Sequence, residues 1–265
     1  MAAPRRLSSA LARRWASAHS WAPVDLAAQV SWPADLTVKA SASRFFMYEE
    51  HRATKLEDDS ENIGGSTRLL EQSAAEFFAA VSEDTDEFRY WTSPLASAAP
   101  ELLARLPDFE RLHDDAEAGR GLPTDPRGPS LWVGSANSAT QAHYDVADNV
   151  LVALHGTKRL RCWPPSAATE LHVFPDAHPR ARKSQVNFDQ PDHARFPLFA
   201  ELPPPSLDVT LEPGEALLLP AFWFHHVEND PLRFAPGCPR SAAWLLRAIP
   251  SMSACCCLSA AHRCR

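Results

Sequence analysis

Apolar and polar positions change period several times along this chain. From Asp35 to Ser43 (DLTVKASAS) they alternate, the signature of a half-buried strand. Thr67 to Val81 (TRLLEQSAAEFFAAV) sets Leu69, Leu70, Phe77, Phe78 and Val81 near helical spacing and predicts one amphipathic helix. Phe88 to Trp91 reads as a strand. Pro100 to His113 reads as a short helix with Leu102, Leu103, Leu106 and Phe109 on one face. Arg44 to Gly64 is a charged excursion that predicts a loop, as does the Gly/Pro/Asp-rich stretch from Gly119 to Pro129. From Ser130 the β signal dominates, with strands expected at Leu131–Gly134, Ala142–Leu154 and Arg159–Trp163 and a turn at His155-Gly156-Thr157. The long, proline-rich segment Glu170–Pro205 is expected to cross the mouth of a barrel. Val209–Leu211, a Pro213-Gly214 turn, Glu215–Leu219 and Trp223–Val227 then complete the readable core. The pattern predicts a mainly β fold with flanking helices.

The two ends differ from this core. Residues 1–24 carry Arg5, Arg6, Arg13 and Arg14 and no acidic residue, and Leu7, Leu11 and Trp15 fall at helical spacing. That composition fits an organelle transit peptide or a disordered basic segment. Residues 25–125 read as an N-terminal α+β part, and 126–230 as the β core. Residues 231–265 read as a divergent, disordered tail that holds five of the six cysteines (Cys238, Cys255, Cys256, Cys257, Cys264). A secreted disulfide scaffold would spread its cysteines through the fold, so the core reads as intracellular and reduced. The compartment is mitochondrion or plastid on the transit-peptide reading, otherwise cytoplasm or nucleus. A net charge of -7 gives no global reason for nucleic-acid binding, no DNA-binding motif is seen, and no apolar run of about 18 residues predicts a membrane span.

Candidate chemistry lies in two separated stretches. His143 and Asp145 stand one residue apart in an expected strand, so both side chains project from one face. Trp223-Phe224-His225-His226 supplies a second histidine. Trp223 and His225 share parity, which makes His225 the expected ligand and leaves His226 outward-facing or behind the ligands. Two histidines and a carboxylate leave several metal positions open, the arrangement of non-haem Fe(II) oxygenases. A chelating dicarboxylic 2-oxo acid would need a cation for its far carboxylate. Lys158 opens the strand after the turn, with Thr140 and Asn149 flanking the His143/Asp145 pair.

The pieces AHYDVADNVLVALHGTKR, SQVNFDQPDHARFPLF and LEPGEALLLPAFWFHHV occur in order within about 131–227. Together they resemble the Jumonji C (JmjC), cupin-like family of Fe(II)- and 2-oxoglutarate-dependent oxygenases. The resemblance implies a double-stranded β-helix (jelly-roll), iron on His143, Asp145 and His225, and 2-oxoglutarate on Lys158 with Thr140, Asn149 and, by a looser match, Tyr90. It implies O2 as the other cosubstrate. Two branches are similar in motif, the tRNA wybutosine-synthesizing hydroxylases and the asparaginyl hydroxylase that inhibits hypoxia-inducible factor, so the implied partner is a tRNA or a protein. The family continues with a strand of the type SVNxWY and C-terminal helices that often make homodimers, neither of which is read in this chain. The barrel is therefore expected to be incomplete at its C-terminus. A catalytically inactive cupin-like binding module stands as the alternative, and a zinc- or manganese-cupin as a third.

Overall fold

The computed structural model describes residues 2–47, 67–83, 87–112 and 128–229, residue 110 by its backbone only, and the backbone of 243–248. In chain order the elements are β1 (Arg5–Leu7), α1 (Ala10–Ala18), α2 (Pro23–Gln29), β2 (Leu36–Ser41), β3 (Phe45–Phe46), β4 (Arg68–Gln72), α3 (Ala74–Ser82), β5 (Phe88–Pro94) and α4 (Leu95–Ala98). Two 3-10 turns (Pro100–Arg105, Phe109–Arg111) follow, then β6 (Ser130–Gly134), β7 (Ala139–His143), β8 (Asn149–His155), β9 (Lys158–Trp163), β10 (Leu207–Leu211), β11 (Ala216–Leu219), β12 (Phe224–Asn229) and β13 (Ala243–Ala248).

These strands form two sheets. The larger runs β1-β11-β8-β13-β6-β5-β2-β4 and the smaller β10-β9-β12-β7-β3. All pairings are antiparallel except β3 on β7. Alternation along each strand sorts side chains into three cores. Leu151, Leu217 and Leu219 from the large sheet meet Leu160, Cys162 and Val209 from the small one between the sheets. The large sheet's other face (Val150, Val152, Leu218) is covered by Trp15, Leu26 and Phe77 from the helices. The small sheet's other face (Ala142, Trp163, Phe224) is covered by segment 164–206. The segment therefore seals the back of the small sheet instead of crossing a barrel mouth. Trp163 Nε1 donates to Pro203 O at 2.9 Å, Ser184 N to Ala142 O at 2.8 Å, and Arg44 pairs with Asp189 at 2.6 Å.

Several expectations need correction. The helix expected over 67–81 is a strand followed by a helix. Ser73 and Glu76 form a reciprocal capping box, which starts α3 at Ala74 and releases Arg68–Gln72 to pair with β2. The strand expected over 142–154 is broken by a turn at 144–148 into β7 and β8. Of the loop expected over 44–64, Phe45–Phe46 instead pair with β7, and 48–64 lie outside the described residues, as do 119–127 of the later loop. The short helix expected over 100–113 is a pair of 3-10 turns.

The N-terminus, expected as a disordered or transit-peptide-like segment, is part of the fold. β1 pairs with β11, Ser9 caps α1, and Trp15 is fully buried with its indole on Pro107 O at 3.0 Å. The strand expected to be missing is also present. β13 pairs with both β8 and β6 in the middle of the large sheet. Its AWLLRA run shows no period-2 alternation, the pattern by which a strand is read from sequence. The tail expected over 231–265 thus contains a central strand, and the cysteine-rich remainder lies outside the described residues. Among the described residues, no helix is long and apolar enough to cross a membrane.

Candidate metal centre

His143 ends β7, and Asp145 follows it in the turn rather than in the strand. His225 sits in β12 directly opposite His143 in the ladder. The three offer ligand atoms that all lie within 4.8 Å of one another, and all three side chains are buried. Asp145 Oδ2 is 3.6 Å from His225 Nε2. Donors bound at about 2.1 Å to one ion stand about 3.0–3.4 Å apart in octahedral or tetrahedral geometry, so only a small closure separates this pair from ligation.

The imidazoles are already oriented for that role. His143 Nδ1 is 2.7 Å from Gln141 O and His225 Nδ1 is 3.1 Å from Trp223 O. A backbone carbonyl accepts only from N–H, so each ring keeps its proton on Nδ1 and presents the Nε2 lone pair. Burial, and secondly the neighbouring His225, hold the His143 pKa well below its usual value, so the ring is neutral at pH 7. Asp145 is held from two sides. Asn149 Nδ2 donates to Oδ2 at 3.0 Å, and Phe222 N donates to the Asp145 carbonyl at 2.7 Å.

The triad opens into a cavity lined by Tyr90, Trp132, Thr140, His143, Asp145, Leu151, Lys158, His225 and Val227. Lys158 is 2% exposed, far from a solvated hairpin lysine, because 158, 160 and 162 of β9 all point between the sheets. Burial pushes its pKa down to about 7. Its ammonium donates to Asn229 Oδ1 at 2.6 Å.

Of the residues expected at the site, His143, Asp145, His225, Lys158, Thr140 and Tyr90 come together around this one cavity. Asn149 does not line it and acts on Asp145 instead. Trp223 contributes its carbonyl to His225, while its indole donates to Ala2 O at 2.9 Å. His226 points to the opposite face, yet it is fully buried there, stacked on Phe188 with ring centroids 4.8 Å apart. Sequence reasoning missed Trp132, Leu151, Val227 and Asn229. The last two share the parity of His225, a signal that was available.

A jelly-roll of two antiparallel sheets holding two histidines and a carboxylate beside a buried lysine defines a cupin-type metal centre. Residues 9–243 match the cupin-like domain family, and the chain belongs to this cupin-like JmjC family, whose members are in general Fe(II)- and 2-oxoglutarate-dependent oxygenases. Among curated relatives, lysine-specific demethylase JMJ31 of Arabidopsis thaliana is 32% identical over 106 residues, 40% of this chain and 19% of that protein. Human tRNA wybutosine-synthesizing protein 5 is 38% identical over 89 residues, 33% of this chain and 26% of that protein. The Danio rerio protein of the same name is 31% identical over 161 residues, 60% of this chain and 46% of that protein. These alignments span between about a fifth and a half of the relatives' length.

Proposed function

We propose that this chain is an Fe(II)- and 2-oxoglutarate-dependent hydroxylase that acts on a macromolecule. The observation that carries the reading is the convergence of the buried side chains of His143, Asp145, His225 and Lys158 on one cavity. When bound, iron with 2-oxoglutarate and O2 supplies the oxidising chemistry, which places one oxygen atom in a substrate C–H bond and the other in succinate as CO2 is lost. The chain's own part is positional. The two Nε2 atoms and the Asp145 carboxylate would hold the metal, and a set of three protein donors would leave positions for cosubstrate and oxygen. Lys158 supplies the cation for the distal carboxylate of 2-oxoglutarate, and Tyr90 and Thr140 carry hydroxyls to the same wall. Leu151, Val227 and Trp132 make the remaining wall apolar, which limits water around the reacting centre.

For the substrate, a modified base of tRNA is the reading favoured by the wybutosine-synthesizing relatives, one of which aligns over 60% of this chain. The demethylase relatives favour a protein side chain as the second reading. With β13 in place, the inactive-module alternative loses its premise of a missing strand. The experiment is succinate release from 2-oxoglutarate with Fe(II), comparing phenylalanine tRNA with a peptide library. Turnover that rises with one substrate and vanishes in His143→Ala is expected. Equal background turnover in wild type and His143→Ala would overturn the reading.

A further inference from the structure

Lys158 and Asn229 face each other on one rung of the β9–β12 ladder. Both are buried, and the Lys158 ammonium donates to Asn229 Oδ1 at 2.6 Å. The amide's orientation follows from its other end. Ser138 Oγ donates its single hydrogen to Ser135 O at 2.7 Å, so toward Asn229 it can only accept. Asn229 Nδ2 must therefore be the group that donates to Ser138 Oγ, at 2.7 Å, which turns the amide oxygen to Lys158. The backbone closes the unit, with Asn229 N on Ser138 O at 2.8 Å and Asn137 N on Asn229 O at 2.7 Å. Gly134 makes room for it: a Cβ there would collide with Asn229 Nδ2 and stand 2.9 Å from Ser138 Oγ.

We infer that Asn229, fixed by Ser138 in the space left by Gly134, is the positioning residue that holds the Lys158 ammonium in the cavity for the distal carboxylate of 2-oxoglutarate. This inference rests on the proposed cosubstrate. Its chemical logic is that a buried lysine needs a partner, while an anion-binding lysine must keep its charge uncompensated. A neutral amide oxygen satisfies one of three N–H donors and cancels none of the charge, whereas a carboxylate at 229 would neutralise it.

The test is calorimetric titration of Mn(II)-loaded protein with 2-oxoglutarate, alongside Mn(II) titration of the metal-free protein. Asn229→Ala and Ser138→Ala should weaken 2-oxoglutarate binding by about tenfold or more, the loss expected for a hydrogen bond to a charged group, with Mn(II) affinity unchanged. Asn229→Asp, which keeps the size of the side chain, should weaken it further still. Gly134→Ala, which displaces the amide from a different strand, should reproduce Asn229→Ala. Wild-type 2-oxoglutarate affinity in Asn229→Asp would overturn the inference alone, because a space-filling role tolerates that change. Equal losses of Mn(II) and 2-oxoglutarate binding in Asn229→Ala would overturn it as well, since they reveal a merely structural role. If wild-type protein binds Mn(II) but no 2-oxoglutarate, the proposed function falls and this inference with it.

Discussion

Trp15→Ala distinguishes a detachable leader from an integral part of the fold. The residue is fully buried in the core beneath the large sheet, and its indole donates to Pro107 O at 3.0 Å. Its own carbonyl accepts from the Trp21 indole at 2.8 Å, so α1 is tied to two later segments. Replacing a buried aromatic by alanine costs about 3–5 kcal/mol from lost transfer and residual cavity. For a domain of this size each kcal/mol lowers Tm by roughly 2–4 °C, so a fall of about 6–20 °C is expected.

A second perturbation approaches the same contact from the other side. Gly214 has φ +86, and a Cβ on it would stand 3.1 Å from Arg13 Cα, so Gly214→Ala strains the turn and presses on α1 at Arg13. The assay is thermal unfolding followed by circular dichroism, with chemical denaturation of the same variants as a check. A disordered basic segment or a cleavable leader would make Trp15→Ala a surface change worth less than about 0.5 kcal/mol. A melting point within about 2 °C of wild type for Trp15→Ala and for a protein lacking residues 2–22 would therefore refute the reasoning. The consequence reaches the metal: Ala2 O accepts from the Trp223 indole, and Trp223 O orients His225, so the truncated protein should also bind Mn(II) more weakly.

Three further outcomes are expected. Lys158 has a folded pKa of about 7 against 10.5 in its ordinary state, so between those values the unfolded chain binds more protons than the folded one. Stability contributed at this site therefore rises with pH across that window and the cost is fully present below pH 7, so Lys158→Met should melt above wild type at pH 6.5 by a margin that shrinks toward pH 10. The charged lysine is the form that binds an anion, so 2-oxoglutarate affinity should fall as pH rises above 7, with proton uptake visible as a dependence of calorimetric heat on buffer. A pH-independent affinity between 7 and 9 would count against the assignment. Cys162 is fully buried between the sheets, and burial pushes its thiol up to about 12. Iodoacetamide at pH 8 should leave its peptide unlabelled in native protein and label it after denaturation, as read by mass spectrometry.

The fold was legible wherever one physical effect dominated. β2, β5, β6 and β9 alternate or cluster as strands should, and the turns at Gly156 and Gly214 carry the positive φ that glycine favours. Errors came where a longer-range partner outvoted the local pattern. Leu69 and Leu70 fit a helical stripe with Phe77 and Phe78, but β2 offered Arg68–Gln72 a ladder, and the Ser73–Glu76 box set the boundary. Arginines in the first 24 residues suggested a free basic end because composition cannot show that Glu215 and Asp108 wait to pair with Arg6 and Arg14. The apolar run in β13 does not alternate and so gave no strand signal, and the two strands that pair with it, β6 and β8, lie about a hundred residues earlier in the chain.

The candidate site divides along the same line. Side-chain parity on a strand is a local property, and it sufficed to place His225, and not His226, beside His143 and Asp145. What holds these side chains is local only in part: the Gln141 and Trp223 carbonyls act from two residues upstream and the Asn149 amide from four residues downstream, whereas the Asn229–Ser138 pair beside Lys158 joins residues 91 apart in the chain. Asp145 illustrates the difference. Its alternation with His143 assumed a continuous strand, yet the chain leaves the ladder after His143 and a turn delivers the carboxylate. The turn succeeds because Phe222 N binds the Asp145 carbonyl and Asp148 accepts from Ala221 N at 2.6 Å, which ties it to the turn that precedes His225. Two turns that present ligands from opposite strands are thus fastened to each other, so the spacing of the triad depends on that link as much as on either motif.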